Sequence, residues 1–296
     1  MPTGLVGYWP LDGDGTEQLG EHGLTGVVEN GEWVSGRHGL AFESDGDDAI
    51  VVVDPDGTNI GLNSELMMML AWILPAENGP GGADSNIIVN KEHVFEYGMA
   101  GGHQEGVPMG ALLGAFGPCW RWWGTVVLPL AEWTHTAVGI DGANEVHYVN
   151  GALAESTECP VPTVTICAAE GETCERNGLV KYGATSVGQW TPEVTVNGAI
   201  PCSVGGIFAD SVPGVVGECS CRAIATGVLI SNDEDFRIGA RGGDGNSSAF
   251  FHGAIDDVML FSGGLAADEV ASVYRALLGG GPTSNFRDGS SATRHC

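Results

Sequence analysis

The chain has 296 residues, and its 11 Lys and Arg against 38 Asp and Glu give a formal net charge of −27. With 43% hydrophobic residues it has enough apolar side chains for a sizeable core, which excludes a disordered chain. The acidic balance argues against non-specific binding to nucleic acid or anionic lipid, because such binding needs a basic surface.

The 48 glycines are typical of many turns, and the pattern along the chain predicts short strands separated by turns. Asn30-Gly31 lies between two apolar arms at 27–34 and predicts a hairpin, since Asn-Gly supplies the positive φ angles of a tight turn. A meander with Asn150-Gly151 as its second turn is predicted further along. Before the cysteine-rich region, the predicted strands are 5–9, 27–34, 49–53, 66–74, 86–91, 111–116, 133–140, 145–149 and 152–155.

Residues 157–226 differ in composition, because they hold most of the cysteines, an Asn197-Gly198 turn pattern and few strong strand patterns. We interpret them as an insertion in a β-domain. An even set of cysteines in loop-like sequence predicts disulfides formed in an oxidising compartment. Zinc binding and free thiols are the alternatives, but for zinc no CxxC pair occurs, and the spacing of residues 219 and 221 has no matching second pair. The disulfide candidates are Cys159, Cys167, Cys174, Cys202, Cys219 and Cys221.

Strands resume at 227–230, 236–239 and 254–261, and one helix is predicted from about Ala267 to Leu278. The acidic side chains in its first turn interact favourably with the helix dipole, and Gly279 is a signal for the end of the helix. Its apolar face consists of Val270, Val273, Tyr274 and Leu277, at helical spacing.

Residues 279–296 form a polar, linker-like tail that we expect to be flexible, because it has few apolar residues to bury. The tail ends at Cys296. A cysteine that stays out of the fold can bridge to a second chain, so we expect self-association through Cys296.

Three stretches together resemble the laminin-G-like, concanavalin A-like lectin-glucanase jelly-roll superfamily. They are Gly4-Leu-Val-Gly-Tyr-Trp-Pro-Leu-Asp12, Glu132-Trp-Thr-His-Thr-Ala-Val138 and Phe251-His-Gly-Ala-Ile-Asp-Asp-Val-Met-Leu-Phe261. The resemblance covers residues 1–278 apart from the insertion. It implies an all-β fold: a two-sheet antiparallel jelly-roll sandwich with one short C-terminal helix and a Cys-rich insertion. Many short strands with turn signals predict such a sandwich independently.

We expect that the protein is not an enzyme. Glucanases of the resembled superfamily carry a Glu-x-Asp-x-x-Glu strand, and no such segment occurs here. Glycoside hydrolysis usually needs two carboxylates flanking one bond, whereas the acids here lie mostly in turns. The Gly-x-Ser-x-Gly and His-Glu-x-x-His motifs are also missing from the sequence.

The resemblance implies a structural calcium ion between the N-terminal region and the last strand. Asp256 matches the acidic position of that strand, with Asp12 and Glu43 as its neighbours in the ligand set. A carboxylate in an apolar strand is costly unless it is paired or ligated. The alternative is that Asp256 accepts hydrogen bonds from backbone amides of the first strand.

A cluster of three indoles, Cys119-Trp-Arg-Trp-Trp123, is the candidate for sugar binding. On a strand, Trp120 and Trp122 share one face and Trp123 takes the other. Exposed aromatic faces stack on sugar rings, whereas the alternative is that these rings fill the core.

The sequence therefore predicts a non-catalytic, lectin-like module that binds glycan or glycoprotein, with calcium as a structural ion. The alternative is a structural or adhesive subunit of an extracellular filament or surface assembly. We expect an extracellular or cell-surface location, although no signal peptide is visible at the N-terminus. We expect no membrane insertion, because the longest apolar run, 66–74, is well below the roughly 20 residues of a membrane span. Asn246-Ser-Ser248 is a candidate glycosylation site.

Overall fold

The computed structural model describes residues 2–19, 24–53, 67–76, 86–102, 106–116, 119–141, 144–159, 165–191, 194–205, 208–223, 234–243 and 246–279. The chain divides into two compact units, one formed by Met1–Cys159 with Leu229–Cys296 and the other by Pro160–Val228. The predicted tail from residue 280 and the predicted strand at 227–230 lie outside the described residues.

The elements, in chain order, are β1 (Leu5–Trp9), β2 (Gly15–Thr16), β3 (Thr25–Glu29), β4 (Glu32–Ser35), β5 (Leu40–Ser44), β6 (Ala49–Val52), β7 (Met68–Pro75), β8 (Asn86–Lys91), β9 (Phe95–Met99), β10 (Leu112–Phe116), β11 (Cys119–Trp123), β12 (Thr134–Asp141), β13 (Asn144–Val149), β14 (Ala152–Glu158), β15 (Thr165–Ala169), β16 (Thr173–Ala184), β17 (Gln189–Trp190), β18 (Val194–Pro201), β19 (Glu218–Ala223), β20 (Phe236–Ile238), β21 (Gly253–Phe261) and α1 (Ala267–Leu278).

Two antiparallel sheets form the larger unit, which confirms the all-β sandwich. Sheet I has the order β14-β13-β12-β7-β21-β5-β4, and β1 also pairs with β21. Sheet II has the order β11-β10-β9-β8-β20-β6-β3-β2. The main core contains residues of both sheets, such as Phe42 and Ile255 from sheet I and Phe95 and Ile238 from sheet II.

Helix α1 is confirmed over the predicted range, and it packs with side chains of sheet I in a second apolar cluster. Val270, Val273 and Leu277 are its buried residues, as the apolar spacing predicts. No helix in the described part of the chain has the length and apolarity needed to cross a membrane.

The meander turn at Asn150-Gly151 is confirmed, whereas the hairpin at Asn30-Gly31 is wrong. Asn150 and Gly151 have φ angles of 50° and 75°, and β13 pairs with β14 across them. Asn30 also has a positive φ of 61°, but β3 pairs with β6 in sheet II and β4 pairs with β5 in sheet I. A Cβ at Gly31 would overlap the Phe42 ring, so this turn carries the chain closely past the core. The strands on either side of Asn30-Gly31 therefore belong to different sheets, although the local turn signal predicts that they pair with each other.

The cysteine-rich unit contains more strand than its composition predicts. It forms a sheet of five antiparallel strands in the order β15-β19-β16-β17, with β18 also paired to β16. The predicted Asn197-Gly198 turn is wrong, because both residues lie within β18, where Gly198 has a φ of 102°. Disulfides are confirmed for this stretch: Cys167 is bonded to Cys221 and Cys202 to Cys219, each pair with Cα atoms 5.7 Å apart.

Candidate functional site

Sheet II carries a cluster of polar side chains on the face that points away from the main core. On β9, Phe95 and Tyr97 belong to that core, so Glu96 between them points to the opposite face. Arg237 is placed in the same way on β20, because Phe236 and Ile238 on either side of it are core residues. We call this surface the outer face of sheet II.

The register of three strands brings the outer-face side chains together. Asn90 on β8 pairs with Glu96 on β9 and with Arg237 on β20. The Asn90 side chain donates from Nδ2 to Glu96 Oε1 (3.2 Å) and accepts at Oδ1 from the Gly242 amide (2.8 Å). These bonds fix the amide orientation and tie the segment that follows β20 to the sheet.

Arg241 connects this polar group to the indole of Trp122. Its Nη2 donates to Glu96 Oε2 (3.0 Å) and its Nε donates to Glu96 Oε1, while its guanidinium carbon lies 4.2 Å from the Trp122 ring centroid. Burial raises the pKa of Glu96 above its ordinary value, although the bonds from Arg241 oppose that rise. We call Asn90, Glu96, Trp122 and Arg241 the outer-face cluster.

Trp122 is half-buried, and it borders a small depression that Glu96, Tyr97 and Leu113 also line. The ring packs against Ala100, Ala111 and Leu113, which hold it in place. The glycine at position 98 lines the same depression and leaves no side chain over the strand there. The indole therefore lies among charged and amide groups, with the Arg241 guanidinium over its ring.

The other predicted sugar-binding tryptophans do not join this cluster in the described structure. Trp123 pairs across the sheet with Gly114 and lies with its ring centroid 5.2 Å from that of His147, on the side of the core. The Trp120 side chain lies outside the described residues. Of the three predicted residues, Trp122 is therefore the one that the structure places on the outer face.

Sequence analysis missed a buried polar group inside the sandwich. His147 Nδ1 lies 2.8 Å from Glu155 Oε1, and its Nε2 lies 3.0 Å from Glu145 Oε1. The second oxygen of Glu145 is buried without a hydrogen-bond partner in the described structure. Burial lowers the pKa of His147, but the hydrogen bonds and charges of the two glutamates outweigh burial and raise it above its ordinary value.

Asp256 lies in a buried group with His38 and Asp257. The His38 amide donates to Asp256 Oδ2 (2.9 Å), whereas Asp256 Oδ1 is buried without a hydrogen-bond partner. The Tyr8 hydroxyl donates to Asp257 Oδ1 (2.6 Å), and His38 Nδ1 lies 2.6 Å from Asp257 Oδ2. Burial, together with the charge of Asp257, raises the pKa of Asp256 to about 7.

The structure does not bring the three predicted calcium ligands into one group. Asp12 Oδ1 accepts a bond from the Leu40 amide (2.9 Å), and Glu43 is exposed on β5, opposite Ala254. Neither belongs to the group that contains Asp256. The backbone amides predicted as the alternative partners of Asp256 come from the 37–38 segment rather than from the first strand. A separate all-carboxylate group, Asp45, Asp47 and Asp48, lies at the turn after β5.

The remaining predicted sites are cysteines and the sequon. Cys159 is disulfide-bonded, and Cys174 Sγ lies 3.0 Å from Cys221 Sγ beside the Cys167–Cys221 disulfide. Asn246 is exposed at the turn where Arg241 pairs with Ser248. Cys296 lies outside the described residues.

No protein-family model matches the chain, and no curated protein sequence matches it. Solved structures do match. One is domain 4 of AbnA, a GH43 extracellular arabinanase from Geobacillus stearothermophilus, in complex with arabinotriose, with 15% identity, a TM-score of 0.51, and 92% of this chain and 98% of that domain covered.

A second match is the Trypanosoma rangeli sialidase in complex with sialic acid, with 12% identity and a TM-score of 0.51. The alignment covers 93% of this chain but 33% of the sialidase, so the chain spans about a third of that protein. At these identities, both similarities show the β-sandwich fold and do not identify a ligand of this chain.

Proposed function

We propose that the chain is a non-catalytic, laminin-G-like module that binds glycan outside the cell, and that the outer-face cluster is its binding site. The observation that carries the proposal is Trp122, a half-buried indole held on the outer face beside Arg241 and Glu96. Its fixed position means that little side-chain entropy is lost when a ligand stacks on it.

The chemistry of the cluster matches that of a sugar. A pyranose or furanose ring has apolar C–H groups that pack on an indole and hydroxyls that exchange hydrogen bonds. Arg241 is partly exposed, and its Nε and Nη2 bond to the buried Glu96, which leaves Nη1 to donate to a sugar hydroxyl.

The fold supports this choice of ligand. Domain 4 of AbnA, which shares the fold, was solved with arabinotriose, and the T. rangeli sialidase was solved with sialic acid. We carry only the ligand class from these proteins, as a guide to which glycans to test first.

The proposal that the module is non-catalytic is supported by the state of its buried carboxylates. On the outer face, Glu96 is paired with Arg241, which holds its charge in a hydrogen-bonded pair. Glu145 and Glu155 are both bound to His147, and Glu145 is inaccessible to solvent. Glycoside hydrolysis requires two carboxyl groups that reach one glycosidic bond, and neither arrangement offers such a pair. Reducing-end release from the bound glycans should therefore stay at the level of buffer.

An extracellular location is supported by the disulfides of the cysteine-rich unit, because such bonds persist in oxidising compartments. We also propose a structural calcium ion at Asp256, where one buried carboxylate oxygen has no hydrogen-bond partner in the described structure. The ion would neutralise that carboxylate and would take no part in sugar binding.

Binding to an array of neutral and acidic glycans tests the function, followed by calorimetry on the best ligands. Trp122→Ala should abolish binding, whereas Trp190→Ala should leave it unchanged. Trp190 is the matched control, because it is also half-buried with a cation over its ring, Lys181 at 5.2 Å, but lies in the other unit. Equal binding by wild type and Trp122→Ala would contradict the proposed site. Failure of every glycan to bind would contradict the function.

A further inference from the structure

The guanidinium group of Arg237 is buried without adequate hydrogen-bond acceptors. The residue is 2% exposed, and its Nε and Nη1 atoms have no hydrogen-bond partner in the described structure. Its ion pair is with Asp235, whose Oδ2 lies 3.8 Å from Nη2, beyond hydrogen-bond distance. The outer-face neighbour Arg241, by contrast, is matched by Glu96.

This arrangement is expensive for a purely structural residue. Removing a charged group from water costs several kcal/mol unless good geometry and additional hydrogen bonds compensate. An apolar side chain of similar length would fill the same space between Val51 and Asn90 without that cost. The unmatched donors therefore indicate that acceptor oxygens reach Arg237 from outside the chain.

The cover over Arg237 is thin. Gly242 lies directly above it, and a Cβ at that position would overlap Nη1. The Gly242 amide is held by Asn90 Oδ1 (2.8 Å), one backbone hydrogen bond that a ligand can replace. The segment therefore covers the guanidinium with bare backbone, and binding at Arg237 requires that Gly242 move to make Nη1 and Nε accessible.

We infer that Arg237 is a subsite for the carboxylate of an acidic glycan that extends along the outer face from the sugar ring at Trp122, because strands β8, β9 and β10 separate the two residues. This inference rests on the proposed function and adds the ligand class to it. A ligand carboxylate supplies oxygen acceptors to the unmatched Arg237 donors, and it replaces the long ion pair with Asp235. Arginine is well suited to this task, because it stays charged and its donors are fixed in one plane.

Because the chain is strongly acidic, a preference for acidic glycans would have to come from Arg237 rather than from general electrostatic attraction. With a net charge of −27, the surface as a whole repels an anionic glycan, so general electrostatic attraction cannot mimic the subsite. Binding should therefore strengthen slightly as added salt screens the repulsion, the reverse of what a basic patch shows.

The test compares matched acidic and neutral glycans by calorimetry: oligogalacturonate against its methyl ester, and sialyllactose against lactose. For at least one pair, wild type should bind the acidic member about tenfold more tightly, the effect of one charge-assisted hydrogen bond. Arg237→Met should remove this preference and leave the affinity for the neutral member unchanged. Arg275→Met on helix α1 is the control, because that arginine bonds to its own helix at Ala271.

A second variant keeps the arginine but displaces its guanidinium. In Gly242→Ala the new Cβ would overlap Nη1, so the guanidinium must shift, while Gly242 does not have a positive φ and the backbone itself accepts alanine. It should weaken acidic binding selectively. Thermal unfolding gives an independent readout: Arg237→Met should be as stable as wild type or more so, because an unmatched buried charge is removed.

The outcomes are distinct. If wild type binds acidic and neutral members equally, the carboxylate subsite is wrong while glycan binding stands. If Arg237→Met lowers the melting temperature strongly, the guanidinium is structural and the inference is also wrong. If no glycan of either class binds and Trp122→Ala changes nothing, the proposed function itself fails.

Discussion

His147 Nδ1 lies 2.8 Å from Glu155 Oε1 within the sandwich, and the imidazole is fully buried. The same ring reaches Glu145 on its own strand through Nε2. A protonated imidazole between two carboxylates satisfies three buried polar groups at once. Loss of its proton would leave a surplus of negative charge in a medium of low dielectric constant.

This relationship predicts a fall in stability at alkaline pH. The pKa of His147 is raised in the folded state, so its contribution is complete below the unfolded value of about 6.5 and is lost as pH rises through the folded pKa. Burial also raises the pKa of Glu145. Ionisation of Glu145 as the pH rises therefore disfavours the folded state and adds to the loss of stability. Denaturant unfolding between pH 6 and 9 should show the decline, and His147→Gln should flatten it.

A control separates this effect from other groups that titrate in the same range. His93 is exposed at the β8–β9 turn, so His93→Gln should leave the pH dependence unchanged. If the decline persists in full in His147→Gln, another group is responsible and the buried triad does not govern alkaline stability.

Trp122 and Trp123 should respond differently to truncation, although they are adjacent. Trp123 packs against His147, so Trp123→Ala should lower the free energy of unfolding by about 2–3 kcal/mol, below the value for a fully buried Trp. Trp122→Ala loses side packing and the Arg241 contact, so about 1 kcal/mol is expected. Urea unfolding of both variants measures the difference. A larger loss for Trp122 than for Trp123 would make Trp122 a core residue and weaken its role as a sugar platform.

Calcium should raise the melting temperature if it binds at Asp256, because a ligand that binds only the folded state stabilises it by mass action. Asp256→Asn should remove the response, and Glu43→Gln should preserve it, since Glu43 is exposed and outside the Asp256 group. If the melting temperature is the same in calcium and in excess chelator, no calcium binds at Asp256, and the Arg37 and His38 amides alone stabilise its carboxylate.

The two disulfides of the cysteine-rich unit should differ in their contribution to stability. In the chain-entropy model the loss grows with the closed loop, and the bonded residues are 17 apart for Cys202–Cys219 and 54 apart for Cys167–Cys221. Replacing both members of a pair by Ala should cost about 3 kcal/mol for the first and about 4 kcal/mol for the second. Protease resistance of the unit under denaturant gives the measurement. An unchanged profile for both double variants would show that the sheet is stable without these bonds.

Much of the fold could be predicted because strand and helix patterns are local. Helix α1 follows from one apolar face, and the β13–β14 turn follows from Asn150-Gly151. The same dipeptide logic failed at Asn30-Gly31 and Asn197-Gly198, because the residues there pair with strands other than the adjacent arm: β3 with β6, β4 with β5, and β18 with β16.

The site was harder to predict, because it depends on register between distant strands. Trp122 could be found from the density of indoles, but Arg237 and Glu96 meet only through pairing of β20, β8 and β9. A local signal did exist: each is a charged residue between two large apolar residues, in Phe95-Glu96-Tyr97 and Phe236-Arg237-Ile238. Such alternation indicates a strand with one face away from the core, where charges are placed for a purpose other than packing.

Cys296 tests the alternative in which the chain is a subunit of an extracellular assembly. It follows a glycine-rich, polar segment that begins after α1, and it lies outside the described residues. In an oxidising medium, we expect it to form an interchain disulfide, so wild type should run as a dimer on non-reducing electrophoresis and as a monomer after reduction. Cys296→Ser should run as a monomer in both conditions. Cys202→Ser is the contrasting variant: it breaks an intrachain bond within the cysteine-rich unit, so the Cys296-dependent dimer should persist. A monomeric band from oxidised wild type would reject the interchain bridge and leave glycan binding as the function to pursue.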